Sequence, residues 1–320
     1  MKILVTGGLG FIGHNVIRVL ESFRHECAII DNKTDYGIIP KKELDYLMLE
    51  RLCRIQTRDI AIADISKPFD DSIFEGVDVV IHLASFPRQK VVNQNPQAGS
   101  RVMSEGLLNL LELTVRHNIK KFVYVSSSMV YGNFGKHEFF DGIDEASDCR
   151  PLGQYGIMKL AGEWLVEDYA RRYDLDYTII RPSAVYGPYD VEDRVASKFL
   201  LAAMRNEKIT VNGADDTLDF TYIDDAATGI ALAAISENTK NSTYNITRSQ
   251  SRTLLEAAEL AVKIVGRGTI QVNNRDNNFP KRGQLNILRA KNDFGYYPTV
   301  NIEEGFQEYY AWLKNSIYGT

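Results

Sequence analysis

Thr6-Gly7-Gly8-Leu9-Gly10-Phe11-Ile12-Gly13 decides how this chain is read. The stretch follows an apolar run, Ile3-Leu4-Val5, and leads into a helical pattern over residues 12–23. Glycines recur at every third position, Gly7, Gly10 and Gly13. A side chain at Gly7 or Gly10 would hold a pyrophosphate away from the helix N-terminus, whose free N–H groups bind anions. Gly13 lets the helix pack closely on the strand. A strand–turn–helix with this spacing is a dinucleotide site. The next apolar run ends in Asp31, ~20 residues beyond the glycines, the usual distance for a carboxylate that takes the adenosine ribose hydroxyls. A carboxylate there repels a 2′-phosphate and favours NAD over NADP, although the neighbouring Lys33 is a cation that could tolerate that phosphate.

Working outward, short β-branched runs at 2–5, 26–30, 77–83, 121–125 and 176–180 read as buried strands. Helical patterns at 12–23, 104–117 and 155–173 lie between them. This alternation predicts an α/β fold: a doubly wound parallel sheet, Rossmann-like, covered on both faces. Beyond Tyr186-Gly187-Pro188 the alternation weakens, and a smaller C-terminal α/β substrate-binding domain is expected. The run at 220–223 and a helix over 225–235 are expected to return to the main sheet. The division is therefore discontinuous: 1–182 with 219–246 for the dinucleotide domain, 183–218 with 247–320 for the substrate domain.

The 320 residues can bury a large core, and the 44% hydrophobic and 25% charged composition is that of an ordinary globular protein. A net charge of -5 argues against a general nucleic-acid binder. Cys27, Cys53 and Cys149 are far apart, and the five histidines are scattered, so neither a disulfide framework nor a metal site is expected. Neither a charged leader with a long apolar stretch nor a membrane span is visible, and the cytoplasm is the expected location.

Tyr155-Gly156-Ile157-Met158-Lys159 opens a helical stretch, and a spacing of four puts Tyr155 and Lys159 on one helix face. Ser127 stands just past a strand, in Ser126-Ser127-Ser128-Met129-Val130-Tyr131-Gly132. A phenol with a pKa near 10 needs help to act as a base. An adjacent ammonium and a positive nicotinamide ring favour the phenolate. A seryl hydroxyl could share the reacting oxygen of the substrate.

With these residues the chain resembles the extended short-chain dehydrogenase/reductase family, and within it the nucleotide-sugar epimerases typified by the UDP-glucose/galactose 4-epimerases. The similarity runs nearly end to end. It includes T-G-G-L-G-F-I-G at 6–13, D-N at 31–32, D-I at 59–60, H-L-A-S at 82–85, Y-x-x-x-K at 155–159, R-P-S-A-V-Y-G-P at 181–188, L-D-F-T-Y-I-D-D at 218–225, K-R-G-Q at 281–284 and F-G-Y-Y-P at 294–298. The resemblance implies Ser127, Tyr155 and Lys159 as the catalytic trio. On the cofactor it implies Gly7, Gly10, Phe11, Ile12 and Gly13, then Asp31, Asn32 and Lys33. Asp59 and Ile60 would lie at the adenine end, with Asp64-Ile65 as a competing assignment. Leu83, Ala84 and Ser85, together with Tyr155, Lys159 and Pro182, complete the cofactor set. On the substrate it implies Ser127, Ser128 and Ala184, with Arg282 holding the nucleotide diphosphate. Helices around 100–117 and 155–172 resemble those that pair into a four-helix homodimer interface.

The chain departs from its relatives at Met103 and Ala184, where Asn is usual, and at Leu218, where Arg is usual. Two diphosphate contacts are thereby lost, and Arg88, Arg194 and Lys198 are candidates for another anchor. Phe86-Pro87-Arg88 after H-L-A-S is also unusual. Ser128 and Met129 stand where the 4,6-dehydratases carry Asp-Glu, which argues against water elimination. The expected activity is inversion at the sugar C4 by hydride transfer to and from tightly held NAD, with a UDP-sugar favoured. An alternative is an NAD(P)-dependent 4-dehydrogenase or 4-keto reductase acting on a GDP-, CDP- or dTDP-sugar. A catalytically idle dinucleotide sensor would not need the intact trio.

Overall fold

A computed structural model describes residues 1–86, 88–134, 142–191 and 194–319. Its centre is a seven-stranded sheet of β1 (Lys2–Thr6), β2 (Glu26–Asp31), β3 (Ile60–Ile62), β4 (Val79–His82), β5 (Lys121–Val125), β6 (Asp176–Pro182) and β7 (Ser242–Ile246). The spatial order is β7-β6-β5-β4-β1-β2-β3, and every pairing is parallel. Strand order reverses between β1 and β4, so a crevice opens beyond their C-terminal ends.

Side chains alternate between two buried faces, as a strand period of two requires. Ile3, Val5, Ile29, Ile81 and Val123 face helices α1 (Phe11–Ser22) and Ile223–Ile235, meeting Val16, Ile17, Ile230 and Ala231. Leu4, Ala28, Ile30, Val80, Phe122 and Tyr124 face Gly106–Arg116 and Gln154–Tyr173, meeting Leu107, Leu110, Leu111 and Val166. Each such fully buried aliphatic side chain contributes ~1.5–3 kcal/mol.

The remaining long helices are α2 (Lys41–Cys53), α3 (Gly106–Arg116), α4 (Gln154–Tyr173), α5 (Val195–Met204), α6 (Ile223–Ile235), α7 (Leu254–Val265) and α8 (Ile302–Asn315). Helices α5, α7 and α8 pack with the paired strands Lys208–Asn212 and Thr269–Asn273 around a second core of Phe199, Leu200, Ile209, Phe220, Ala258 and Phe306. Phe11 and Leu47 belong to that second core, so the first helix of the sheet layer packs against the later part of the chain.

Two features differ from the expectation. The run at 220–223 does not enter the main sheet: Thr221–Tyr222 pairs in parallel with Val185–Tyr186, and only the following helix, α6, returns to pack on α1. The strand that does return is β7, whose Ser242 and Asn245 interrupt any apolar run. The helix expected over 104–117 is preceded by a π-helical turn, Arg101–Glu105. Among the described residues no helix is long and apolar enough to cross a membrane.

Candidate active site

The cofactor side is built from backbone. Gly7 has φ +70°, and a Cβ there would stand 2.8 Å from the Ala84 nitrogen. A Cβ on Gly13 would lie 2.2 Å from the Gly7 carbonyl oxygen, so helix α1 can sit this close to the loop only without one. Gly10 caps α1 without any side-chain hydrogen bond, and its first turn carries no acidic residue. The N-terminus is thus left open for an anion. Asp31, at the end of β2, accepts the N–H groups of Leu9 (3.0 Å) and Lys33 (2.8 Å), which ties the glycine loop to the strand beside it. Burial pushes its carboxyl up, and those two N–H donors oppose the shift. Thr6 Oγ1 bonds His82 Nδ1 at 2.7 Å and accepts the Ala84 N–H at 3.2 Å, locking β1 to β4 at the crevice. Burial, with Lys159 as a second cause, lowers the His82 pKa to about 3, so its ring is neutral.

Ser127 follows β5 and opens a short 3-10 turn, Ser128–Tyr131, its Oγ accepting the Met129 N–H at 3.2 Å. Tyr155 is the second residue of α4, and the Ser127 hydroxyl is among the groups that favour its phenolate. One turn on, Lys159 Nζ donates to the Val125 carbonyl at 2.8 Å and lies 6.0 Å from the centre of the Tyr155 ring. Burial raises the Tyr155 pKa, opposed by Arg194, the Ser127 hydrogen bond and Arg88. Burial also brings Lys159 down to about 8, with Glu163 acting against it.

A cleft of about 490 Å³ joins these two sides. Gly7, Gly10, Phe11, Ile12, Gly13, Asp31, Asn32, Leu83, Ala84, Ser85 and Pro182 line it, as do Ser127, Ser128, Tyr155 and Lys159. So do Arg88, Ala184, Arg194 and Arg282, the last with its pKa lowered to about 10 by burial. Arg88 and Arg194 come from opposite walls to the buried Asp190. Pro87 lies outside the described residues.

Four expected residues are elsewhere. Asp59 and Ile60 stand at the N-terminal start of β3, and Asp59 pairs with Lys2 Nζ at 3.5 Å. A parallel sheet presents its ligand at the C-terminal ends of its strands, and there Ala63 and Ile65 line the cleft instead. Of the competing Asp64-Ile65 assignment, Ile65 lines the cleft and Asp64 does not. Lys33 gives its backbone N–H to Asp31 but is not part of the lining, and Lys198 is exposed on α5. Reading the sequence missed Arg51, Gln89 and Phe279, all of which line the cleft. Arg51 is buried and donates twice to the Tyr189 carbonyl, at 3.0 and 2.7 Å, while Gln89 Nε2 reaches the Asn278 carbonyl at 2.8 Å. Arg51 and Gln89 are fixed by contacts across the fold, while Phe279 stands two residues before the K-R-G-Q motif.

A family model, that of the NAD dependent epimerase/dehydratase family, matches residues 3–247. An uncharacterized UDP-glucose epimerase of Bacillus subtilis (strain 168) is 30% identical over 328 residues, covering 100% of both chains. A UDP-glucuronic acid 4-epimerase from Bacillus cereus, solved with UDP-glucuronic acid and NAD, superposes with a TM-score of 0.88 at 27% identity, covering 98% of this chain and 99% of that one. The UDP-glucose 4-epimerase of Thermotoga maritima, solved with UDP-glucose, gives 0.85 at 27% identity over 98% and 99%. The open helix end and the carboxylate at the end of β2 suit NAD, which is this chain's cofactor. With the matched segment running from β1 through β7 and carrying the glycine loop, Ser127, Tyr155 and Lys159, the chain belongs to the NAD dependent epimerase/dehydratase family.

Proposed function

We propose that this chain is an NAD-dependent UDP-sugar 4-epimerase. One observation carries the reading: Ser127, Tyr155 and Lys159 converge on one wall of a cleft whose other end is the uncapped N-terminus of α1. The chemistry supplied by bound NAD is reversible hydride exchange at the sugar carbon. Tyr155 takes the proton of the C4 hydroxyl and later returns it. Ser127 donates to the same oxygen and keeps it within reach. Lys159 holds the cofactor ribose and, as an ammonium, favours the Tyr155 phenolate. Phe11, Ile12, Ala84 and Pro182 line the cofactor half. Ser128, Ala184, Arg88, Arg194 and Arg282 line the substrate half, with Arg282 on the diphosphate.

The chain divides into residues 1–182 with 219–246, which carry the cofactor, and 183–218 with 247–320, which carry the substrate. It forms a homodimer through α3 and α4, where Ile157 and Trp164, seven residues apart on one face of α4, are 53% and 62% exposed. The three cysteines are free, which suits a reducing compartment, and the cytoplasm is the location proposed.

Tyr155→Phe tests the assignment. It should lower kcat on UDP-glucose or UDP-glucuronate by ~10²–10⁴-fold while NAD stays bound. Turnover is followed by NMR with NAD+ in catalytic amounts. Wild-type-like activity in the variant removes Tyr155 from the mechanism. Product formed only with stoichiometric change of NAD(H) by the wild type identifies a dehydrogenase or reductase instead.

A further inference from the structure

Four residues beyond Lys159 on α4 stands Glu163, four beyond Ser127 at the end of its 3-10 turn stands Tyr131, and both bond one arginine. Glu163 is 2% exposed. Arg181, near the end of β6, grips it with both prongs of its guanidinium, Nε to Oε1 at 3.0 Å and Nη2 to Oε2 at 2.6 Å. The remaining prong, Nη1, donates to the Tyr131 hydroxyl at 3.0 Å. Tyr131 closes the turn that Ser127 opens, and its own hydroxyl donates to Asn245 Oδ1 of β7 at 2.8 Å. Asn245 Nδ2 donates in turn to the carbonyls of Ile143 (3.2 Å) and Asn286 (3.0 Å), the latter just past Arg282.

We propose that Glu163 is a positioning residue for the reaction: clamped by Arg181, it places a fixed negative charge one turn behind Lys159, which keeps that ammonium charged beside Tyr155. The inference rests on the epimerase reading of the trio. Residues four apart share a helix face, so Glu163 sits behind Lys159 and not across the cleft. Among the described residues the titratable neighbours of Lys159 offer no other carboxylate. Tyr155 lies on the same helix, Tyr124 on β5 has its ring centre 5.2 Å from Nζ, and His82 on β4 is neutral. Burial holds Tyr124 protonated, well above the ordinary range of a phenol. Around Glu163 stand Arg181, Tyr131, Cys149, Tyr124 and Glu167. Burial drags Lys159 down to about 8, and Glu163 is the group that opposes it. Without the carboxylate, the lysine in the wall of the site would lose its proton nearer to neutrality, and of the cations near Tyr155 only Arg88 and Arg194 would remain charged.

The test is the pH profile of kcat for the full-length holoenzyme on its UDP-sugar. Glu163→Gln keeps the shape and one of the two acceptors that Arg181 uses, and removes the charge. The limb on the alkaline side should move down by about one pH unit, and kcat at pH 8 should fall by about fivefold. Glu163→Asp should restore part of both. A buried guanidinium left without its carboxylate can prevent folding, so the double variant E163L/R181M is measured alongside, since an apolar pair of similar volume is well tolerated. It should show the same acidward shift. A purely structural role would lower stability and leave the profile in place. A folded E163Q or E163L/R181M enzyme whose profile superimposes on the wild type, or moves alkaline, overturns the inference and leaves the epimerase reading standing. A wild-type enzyme that turns over no UDP-sugar with NAD+ present overturns that reading and this inference with it.

Discussion

Helix α1 and helix α7 begin in opposite ways. The first starts on Gly10, with no side chain closing its first turn. The second starts on Thr253, whose hydroxyl accepts the Glu256 N–H while the Glu256 carboxylate accepts the Thr253 N–H. Helix α8 repeats the closed arrangement with Asn301 and Glu304. A helix start leaves several N–H groups without partners, and a buried one left open without a ligand would be costly. The contrast separates two kinds of construction. One wall of the cleft speaks through backbone and is completed by a cofactor, while the layer behind the other wall is completed by its own side chains.

The buried ion pair that ties α4 to β6 should be the most sensitive point. Arg181→Met leaves Glu163 buried without its cation, and a buried pair broken on one side costs ~3–5 kcal/mol. Urea unfolding should show that loss, whereas E163L/R181M should return close to wild-type stability. Equal stability of R181M and wild type would mean that the pair does not hold α4 to the sheet. On the cofactor wall, Gly13→Ala puts a Cβ against a carbonyl oxygen and the Gly8 Cα, both backbone atoms that cannot swing aside. Overpacking of this kind costs up to ~3 kcal/mol, or about 100-fold in NAD affinity. NAD released from the purified variant by heat and measured by chromatography is the readout. Full NAD content would show that the loop tolerates the added atom and that close approach is not what Gly13 provides.

His82 tests the tie between β1 and β4. Its folded pKa of about 3 lies below the ordinary 6.5, so as pH falls through 6.5 the unfolded chain takes up a proton that the folded chain refuses. Stability present above pH 6.5 is therefore lost progressively between 6.5 and about 3. Relative to His82→Gln, which cannot titrate, the wild type should lose ~2 kcal/mol between pH 7 and pH 5. A gap between the two proteins that stays constant over that range would mean that His82 is charged or exposed in the fold.

The same contrast explains what could be read from the sequence. Five strand runs and the glycine loop were legible because burial on both faces demands continuous β-branched residues, and because close backbone approach admits only glycine. The two unexpected strands, β3 and β7, are the edges of the sheet. β3 has three residues, none fully buried, and β7 carries Ser242, Thr243 and Asn245. β3 is apolar but only three residues long, and β7 is broken by polar residues, so neither shows the long apolar run of a central strand. Two Asp-Ile pairs flank β3, and composition does not say which end of the strand faces the cleft; the parallel topology does. Arg51 and Gln89 were illegible for a different reason. They are held in place by residues far along the chain, Tyr189 and Asn278, and no local pattern encodes such a pairing.

The smallest effect tests the closed helix end. Thr253→Ala removes the hydroxyl that accepts the Glu256 N–H at 3.1 Å and leaves that N–H to water. Loss of such a cap costs about 1 kcal/mol. Because α7 packs against α5 in the second core, away from the glycine loop, the loss should appear in thermal unfolding alone. NAD content should stay at the wild-type level, the reverse of Gly13→Ala, where NAD is lost. If Thr253→Ala also released NAD, the second core would be holding the cofactor wall in shape through Phe11, which packs in that core from the start of α1. The division between a wall completed by ligand and a layer completed by its own side chains would then give way to a single unit whose stability and cofactor affinity rise and fall together.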